Sequence, residues 1–501
     1  MRYFRMFLRW VMFALCLSFK FANSESAINP IIVQGNRFID SVTGKPFFVK
    51  GVDYQPGGSS EITEERDPLS DPEVCARDIS LFQELGINTV RIYSVNPELN
   101  HDKCMTMLAV AGIYLVLDVN SPLDNQHLNR YEPWTSYHPL YLEHIFNIIE
   151  EFSYYNNTLG FFAGNEIVND RRSAQYSPPY IKNVIKDMKQ FIKLHSPRPI
   201  PVGYSAADYL RYRVSLSKYL ECCEHGNSAS SVDFYGINSY QWCGSQTMES
   251  SGYDKLIDTY KSYTKPLIFS EFGCNKVLPR QFEEVSALFS DRMNDVFSGG
   301  LVYEFTQEPN NYGLVKINGE GDALLLDDFF QLKKHYTHLD QVGRQQLKVP
   351  TRDGNLIFYE QKSKNNIPKN GCPVCLDKYS NLNIDTKVDS DLGVFLIKEG
   401  VSNEHGQFVQ LEDSELVSKF KIYNGTGEVP EKVKRIEILH DLGIFNDVKD
   451  KNRKQAGDNP KTSTGFRLNQ NLFAVFMCFM LLISDNILTG IRNLAAFIYH
   501  V

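Results

Sequence analysis

The runs Leu159 to Glu166 (LGFFAGNE) and Pro266 to Gly273 (PLIFSEFG) decide the fold. Each is a short apolar stretch bearing an acid at its C-terminal end, the pattern of a strand buried on both faces. Working outward, six further runs read the same way: Phe47 to Tyr54, Thr89 to Val95, Ile113 to Val119, Pro201 to Ala206, Asp233 to Tyr240, and Gly299 to Phe305. Between them lie segments with helical spacing, such as Glu73 to Leu85, whose Ile79, Phe82 and Leu85 share a face, and Tyr180 to Leu194. Strand then helix, eight times over, predicts an α/β fold, a (β/α)₈ TIM barrel spanning residues 25–332.

Such barrels gather their chemistry at the C-terminal ends of the strands. Those ends are polar here: Tyr54 and Gln55, Tyr93, Asp118 and Asn120, Asn165 and Glu166, Asp208, Asn238 and Tyr240, Glu271, and Tyr303 and Glu304. Glu166 closes the fourth run and Glu271 lies at the end of the seventh, so both should face one mouth. Cleaving a glycosidic bond with retention needs one carboxyl to protonate the leaving oxygen and a second, about 5 to 5.5 Å away, to attack the anomeric carbon. Glu166 is assigned as acid/base and Glu271 as nucleophile, with environments expected to push their pKa values apart. Asn165 is placed to bond the sugar 2-hydroxyl. Tyr240 and Tyr303 could orient the nucleophile or the sugar, and Tyr93 and Asp118 join the candidate substrate contacts, although tyrosines more often pack and Asp118 could simply cap its loop.

Composition narrows the class. The 501 residues are 43% hydrophobic and carry a formal net charge of −8, which supports a large core and gives nothing that would concentrate a polyanion, so nucleic acid is no expected partner. Arg2, Arg5 and Arg9 precede an apolar run from Trp10 to Phe19, closed by Ala22 to Ser24, as in a secretory signal peptide over residues 1–24. At the other end a polar linker, 430–470, holds a possible attachment site for a glycolipid (GPI) anchor, and 471–501 reads as the hydrophobic tail of that signal; the alternative is a C-terminal transmembrane helix. Either way the chain is expected at a cell surface, exported and membrane-held.

Outside those ends stand eight cysteines: Cys75, Cys104, Cys222, Cys223, Cys243, Cys274, Cys372 and Cys375. An even number suits disulfides in an oxidising compartment. The expected pairs are Cys75 with Cys104, Cys243 with Cys274, and Cys222 and Cys223 with Cys372 and Cys375, chosen from on the order of a hundred pairings. Zinc at Cys372-x-x-Cys375 is the competing reading, but no second such pair completes a site, and no metal is expected. Asn156 and Asn424 begin N-x-T glycosylation sequons. Residues 333–429, with runs at Leu356 to Tyr359, Val394 to Ile397 and Val417 to Tyr423, are expected to form a small β-rich module packed on the barrel.

Five motifs carry a resemblance: Gly51 to Gly58 (GVDYQPGG), Arg91 to Val95 (RIYSV), Gly164 to Glu166 (GNE), Ser270 to Cys274 (SEFGC) and Tyr303 to Val315 (YEFTQEPNNYGLV). Over about Ile28 to Gly427 the chain resembles glycoside hydrolase family 72, the fungal GPI-anchored β-1,3-glucanosyltransferases of the cell wall. The resemblance implies a retaining transferase that cleaves a β-1,3-glucan internally and passes the new reducing end to the non-reducing end of a second glucan, without a cofactor. It implies acid/base and nucleophile roles for Glu166 and Glu271, donor-side roles for Tyr93, Asn165 and Tyr303, and acceptor-side roles for Asp208 and Arg213 in Tyr204 to Val214 (YSAADYLRYRV). The loop from Ser121 to Arg130 resembles a donor-binding segment. The cysteine content after the barrel resembles the subfamily without the family 43 carbohydrate-binding module, and a monomer is expected. A retaining glucan hydrolase and a non-catalytic wall glucan-binding protein are the alternatives.

Overall fold

The structure, a computed structural model, describes residues 28–58, 61–224, 226–346, 372–389, 391–428 and 433–442. Eight parallel strands close into a barrel: β1 (Val49–Asp53), β2 (Thr89–Ile92), β3 (Tyr114–Asp118), β4 (Thr158–Asn165), β5 (Val202–Ala206), β6 (Phe234–Ser239), β7 (Leu267–Phe272) and β8 (Gly299–Val302). Each coincides with one of the eight runs read from the sequence. The principal outer helices are α1 (Pro72–Leu85), α2 (Asp102–Val110), α3 (Pro139–Phe152), α4 (Pro178–His195), α5 (Leu210–Glu221), α6 (Tyr253–Tyr260), α7 (Glu283–Leu288) and α8 (Asp327–Gln346). In α1 the Asp71 carboxylate accepts from the Glu73 amide, Pro72 opens the first turn, and Gly86 at φ 76° ends the helix in the left-handed conformation that glycine adopts without strain. Its Ile79, Phe82 and Leu85 are buried, as their spacing required.

The barrel interior is filled in tiers. An N-terminal hairpin (Ile31–Gln34 with Arg37–Asp40) brings Phe38 to within 5.5 Å of the Phe234 ring, and Phe234 meets Phe162 at 5.0 Å. Gly203 makes room for this: a Cβ there would lie 2.6 Å from the Phe234 ring. Above Phe162 lies the guanidinium of Arg91, 4.8 Å from the ring centroid, and above it the ring of Tyr93 at 4.3 Å. The tiers therefore pass from apolar at the base to charged at the mouth.

The segment after the barrel departs from expectation in three places. The barrel's last helix, α8, runs through residue 332 to Gln346, so the boundary at 332/333 falls inside an element. Val394–Glu399 is helical, not a strand, and only Ile422–Tyr423 of the third run is a strand, parallel to Ala323–Leu325. Val-Phe-Leu-Ile suits a buried turn of helix as well as a strand, and contact with α4 and α3 decides it. Most of the described chain here is an extended strap across the outer helices. The Asn383 amide donates to the Ala174 carbonyl, Asn403 Nδ2 to the carbonyls of Pro97 and Asn147, the Gly406 amide to Glu151, and the Gln407 amide to the Asp102 carboxylate. Finally, 433–442 is no solvated linker: Ile436 is buried, Lys434 pairs with Glu84, and the Leu439 amide donates to the Val110 carbonyl. The run Leu356 to Tyr359, the signal peptide and the hydrophobic tail lie outside the described residues.

The disulfides are Cys75–Cys104, Cys243–Cys274, Cys222–Cys375 and Cys223–Cys372. The adjacent pair after α5 thus clasps the start of the strap twice.

Candidate active site

Strand β7 delivers Glu271 to the centre of the mouth, where the residue is 7% exposed. Its Oε1 accepts from the Tyr93 hydroxyl at 2.9 Å and from Arg91 Nη1 at 3.3 Å, and its Oε2 accepts from the Tyr240 hydroxyl at 2.8 Å. All three contacts favour the ionised form. Burial acts against them and pushes the carboxyl up, to about 7, and the nearby Glu166 adds to that push. Glu166 follows β4 at φ 50°, a left-handed conformation that a glutamate adopts only where its surroundings impose it. Its amide donates to the Ser205 carbonyl, and its Oε1 accepts from Asn238 Nδ2 at 2.7 Å.

Two polar groupings underlie the two carboxylates. Beneath Glu271, Arg91 makes a bidentate contact to Asp118, Nε to Oδ1 at 2.9 Å and Nη2 to Oδ2 at 2.8 Å, and a further bond to the Ser270 carbonyl. Asp53 lies 4.0 Å from Arg91 Nη1, fully buried, with neither carboxyl oxygen hydrogen-bonded. Burial pushes Asp53 well above the usual carboxylate range, against the pull of Arg91 and with Glu271, Asp118 and Glu304 adding. Beneath Glu166, a hydroxyl and amide network links four strands, β4 to β7. Ser205 Oγ reaches Asn165 Oδ1 at 2.7 Å and Ser270 Oγ at 2.9 Å, and Ser270 Oγ donates to Asn238 Oδ1 at 2.8 Å.

Aromatic side chains wall the mouth. Tyr303 lies edge-on to Tyr93 and Tyr240, both at 6.4 Å, and to Tyr312 at 5.2 Å. Glu304, joined to Tyr303 by a cis peptide, is buried, accepts from Asn310 Nδ2 at 2.7 Å, and is pushed up to about 7 by burial.

The structure thus brings Glu166, Glu271, Tyr93, Asn165, Tyr240 and Tyr303 together, and places three other candidates differently. Asp118 has both oxygens engaged by Arg91, so it reaches the mouth through that guanidinium. Arg213 is 2% exposed and donates to Asp208 and to the Asn238 carbonyl, which makes it a brace between β6 and the loop after β5. Asp208 is exposed, and its second oxygen accepts from the Tyr240 amide. Asn156 is half-buried, with the sequon's Thr158 hydroxyl bonded to the Phe152 carbonyl, and Asn424 is half-buried in a turn. Sequence reasoning gave no role to Arg91, Asp53, Asn238 and Tyr312; the first two and the last lie inside quoted motifs, and Asn238 stands at a strand end. Among the described residues no cluster of three or more His, Cys, Asp or Glu is arranged to hold a metal, and no helix is long and apolar enough to cross a membrane.

A closed (β/α)₈ barrel with two glutamates at its mouth, one locked by two tyrosines and an arginine, is the apparatus of an enzyme that acts on glycosidic bonds. The model of the glucanosyltransferase family, glycoside hydrolase 72, matches residues 20–340, and the chain belongs to that family. It is 58% identical over 421 residues to 1,3-beta-glucanosyltransferase GAS4 of Saccharomyces cerevisiae, covering 84% of this chain and 86% of that protein. It is 43% identical over 408 residues to 1,3-beta-glucanosyltransferase gel2 of Aspergillus fumigatus, covering 81% of this chain and 82% of that protein. Among solved structures it is similar to the apo form of a Saccharomyces cerevisiae Gas2p variant, with TM-score 0.58 and 40% identity over 63% of this chain and 66% of that one.

Proposed function

We propose that this chain is a retaining 1,3-β-glucanosyltransferase that cleaves a β-1,3-glucan internally and joins the new reducing end to the non-reducing end of a second glucan. The observation that carries the reading is the setting of Glu271: three donors aim the ionised carboxylate into the mouth, and Glu166 stands close enough to act on its charge. In the first displacement Glu271 attacks the anomeric carbon while Glu166 gives its proton to the departing oxygen. In the second, Glu166 takes a proton from the acceptor hydroxyl, which attacks the same carbon and releases Glu271. Asn238 Nδ2 donates to Glu166 Oε1 and holds that carboxyl group in place. Asn165 has its carbonyl oxygen held by Ser205, which leaves Nδ2 as the group for the sugar 2-hydroxyl.

Tyr93, Asn165 and Tyr303 are assigned to the donor glucan and Asp208 to the acceptor, with Asp118 and Arg213 acting through the groups they hold. Transfer in place of hydrolysis requires an oriented acceptor hydroxyl to outcompete water, an effective-molarity advantage that an open aromatic-walled mouth can supply. The signal peptide and hydrophobic tail expected from the sequence support export and GPI anchoring at the membrane or wall, and the sequons at Asn156 and Asn424 support glycosylation. The test is product analysis with one β-1,3-gluco-oligosaccharide of defined length. Products both longer and shorter than the donor are expected, and none from Glu271→Gln. Only shorter products would make this a hydrolase.

A further inference from the structure

The C-x-x-C at the start of the strap and the adjacent cysteines after α5 have no part in the site just described. Cys222–Cys375 and Cys223–Cys372 leave neighbouring residues of the barrel, and the Cys223 amide donates to the Pro373 carbonyl at 2.8 Å. Cys222, Cys223 and Cys372 are buried, whereas Cys375 is half-buried between the exposed Val374 and Leu376. A thiolate arriving from solvent therefore meets Cys375 first, and Cys222 is the sulfur it displaces.

Cys222 is furnished as that leaving group. Its Sγ accepts from the Tyr379 hydroxyl at 3.3 Å and lies 3.6 Å from Lys182 Nζ. Lys182 is buried, and its Nζ is fixed by the carbonyls of Tyr219 and Cys222, both at 2.7 Å. The Tyr219 carbonyl, 3.1 Å from the same sulfur, is thus already engaged by the lysine. Burial pulls the Lys182 ammonium down to about 7, below the roughly 8.5 of a free thiol, so proton transfer from Nζ to a departing Cys222 thiolate runs downhill. In the other two bridges the sulfurs of Cys75 and Cys243 face carbonyl oxygens, of Pro68 at 3.7 Å and of Tyr240 at 3.3 Å, which do nothing to hold a thiolate.

We propose that Cys222, Cys223, Cys372 and Cys375 form a thiol–disulfide exchange site, at which a single two-electron reduction by an external dithiol opens both bridges that hold the strap. One thiolate of the dithiol attacks Cys375 Sγ, forming a mixed disulfide and releasing Cys222, which takes a proton from Lys182; Nζ regains one from solvent. The second thiolate of the reagent attacks its own mixed-disulfide sulfur, leaves as the cyclic disulfide and frees the Cys375 thiolate. That thiolate attacks Cys372 Sγ, a closure that the C-x-x-C spacing permits, so a Cys372–Cys375 bond forms, the Cys223–Cys372 bond breaks and Cys223 takes up a proton. The dithiol ends oxidised, Cys222 and Cys223 end as thiols, and the strap keeps a disulfide of its own.

The test treats the full chain with one molar equivalent of dithiothreitol, quenches with iodoacetamide and maps the alkylated cysteines by mass spectrometry, a readout independent of the enzyme's activity. Alkylation of Cys222 and Cys223 is expected, with Cys372 recovered linked to Cys375 and with Cys75–Cys104 and Cys243–Cys274 intact. Tyr379→Phe removes a donor to the leaving sulfur and is expected to slow this labelling on the order of three- to tenfold, and Lys182→Met to slow it at least as much. A loosened fold would speed labelling, so a slower rate separates the loss of the donor from a loss of structure. Earlier reduction of either of the other bridges, label on Cys222 and Cys375 with Cys223–Cys372 intact, or an unslowed rate in Tyr379→Phe would overturn the proposal.

Discussion

Replacing His101 with leucine tests how the barrel braces its loops. His101 precedes α2 and is completely buried, with Nε2 2.7 Å from Asp67 and Nδ1 2.5 Å from Glu151 on α3. Burial disfavours the imidazolium, but the two carboxylates outweigh it and raise the pKa from 6.5 to about 10. Taken alone, that rise corresponds to about 5 kcal/mol of stability. Glu151 works the other way, because burial raises its own carboxyl and keeping it ionised is unfavourable. The net is nearer 3 kcal/mol, the lower end of the roughly 3–5 kcal/mol lost when one partner of a buried ion pair is removed. Asp67 keeps the amides of Leu69 and Asn96 as donors, whereas Glu151 would be left bare. For a folded body of roughly 400 residues, about 3 kcal/mol lowers Tm by about 4 °C. The folded pKa is raised, so the contribution is complete below pH 6.5 and fades as pH climbs toward 10, at about 1.4 kcal/mol per pH step. Calorimetric melts of parent and His101→Leu at pH 6 and pH 9.5 should show the Tm gap closing. A gap that is constant across that window would refute an imidazolium held by two carboxylates.

Three further outcomes follow from the site and the strap. Tyr240→Phe removes a donor to Glu271 Oε2, so the carboxyl rises further; because the nucleophile must be ionised, the acid limb of kcat/KM should move to higher pH, and an unmoved limb would assign that limb to another group. Asn238→Ala removes the bond to Glu166 Oε1 and is expected to lower kcat about a hundredfold with little change in KM, while a pure KM effect would place Asn238 in uniform binding. Cys372→Ser combined with Cys375→Ser opens two bridges that span separations of 149 and 153 residues; about 4–5 kcal/mol of stabilisation should go, with limited proteolysis cutting first near residue 372, and protection equal to the parent would show that the strap's hydrogen bonds suffice.

The barrel and the two glutamates at its mouth were legible in the sequence because period and position mark them directly. A buried parallel strand leaves an apolar run, and a carboxylate at its C-terminal end has no structural reason to recur at a matching position. Arg91 was harder to read: inside β2 it looks like a charge in the wrong place, and only the closed barrel reveals Asp53, Asp118 and Glu271 converging on it. Ser205 and Ser270 carry no signal at all, since small hydroxyls are as common in strands as in loops. Asp118 stands at the end of β3, as its run predicts, but a strand end does not say whether a side chain faces substrate or another side chain; Arg213, given an acceptor role by the resemblance, lies in the first turn of α5 and donates to Asp208 and the Asn238 carbonyl. The strap resisted reading for a different reason. Residues 400–412 and 433–442 satisfy their backbone on side chains and carbonyls of distant helices, which leaves no local period to find, and Val394 to Ile397 is too short for composition to separate helix from strand.

In the proposed mechanism Glu271 attacks the anomeric carbon and Glu166 handles the proton. Chemical rescue by azide tests both assignments through the stereochemistry of one product, starting from an activated β-glucosyl donor that needs no acid. With Glu271→Gly, azide occupies the space of the missing carboxylate and attacks once, giving an α-glycosyl azide. With Glu166→Ala, the covalent intermediate still forms and azide opens it, giving the β-glycosyl azide. NMR of the anomeric proton distinguishes them. An α product from Glu271→Gly and a β product from Glu166→Ala is the predicted result; the reverse assignment, or the same anomer from both, would contradict it.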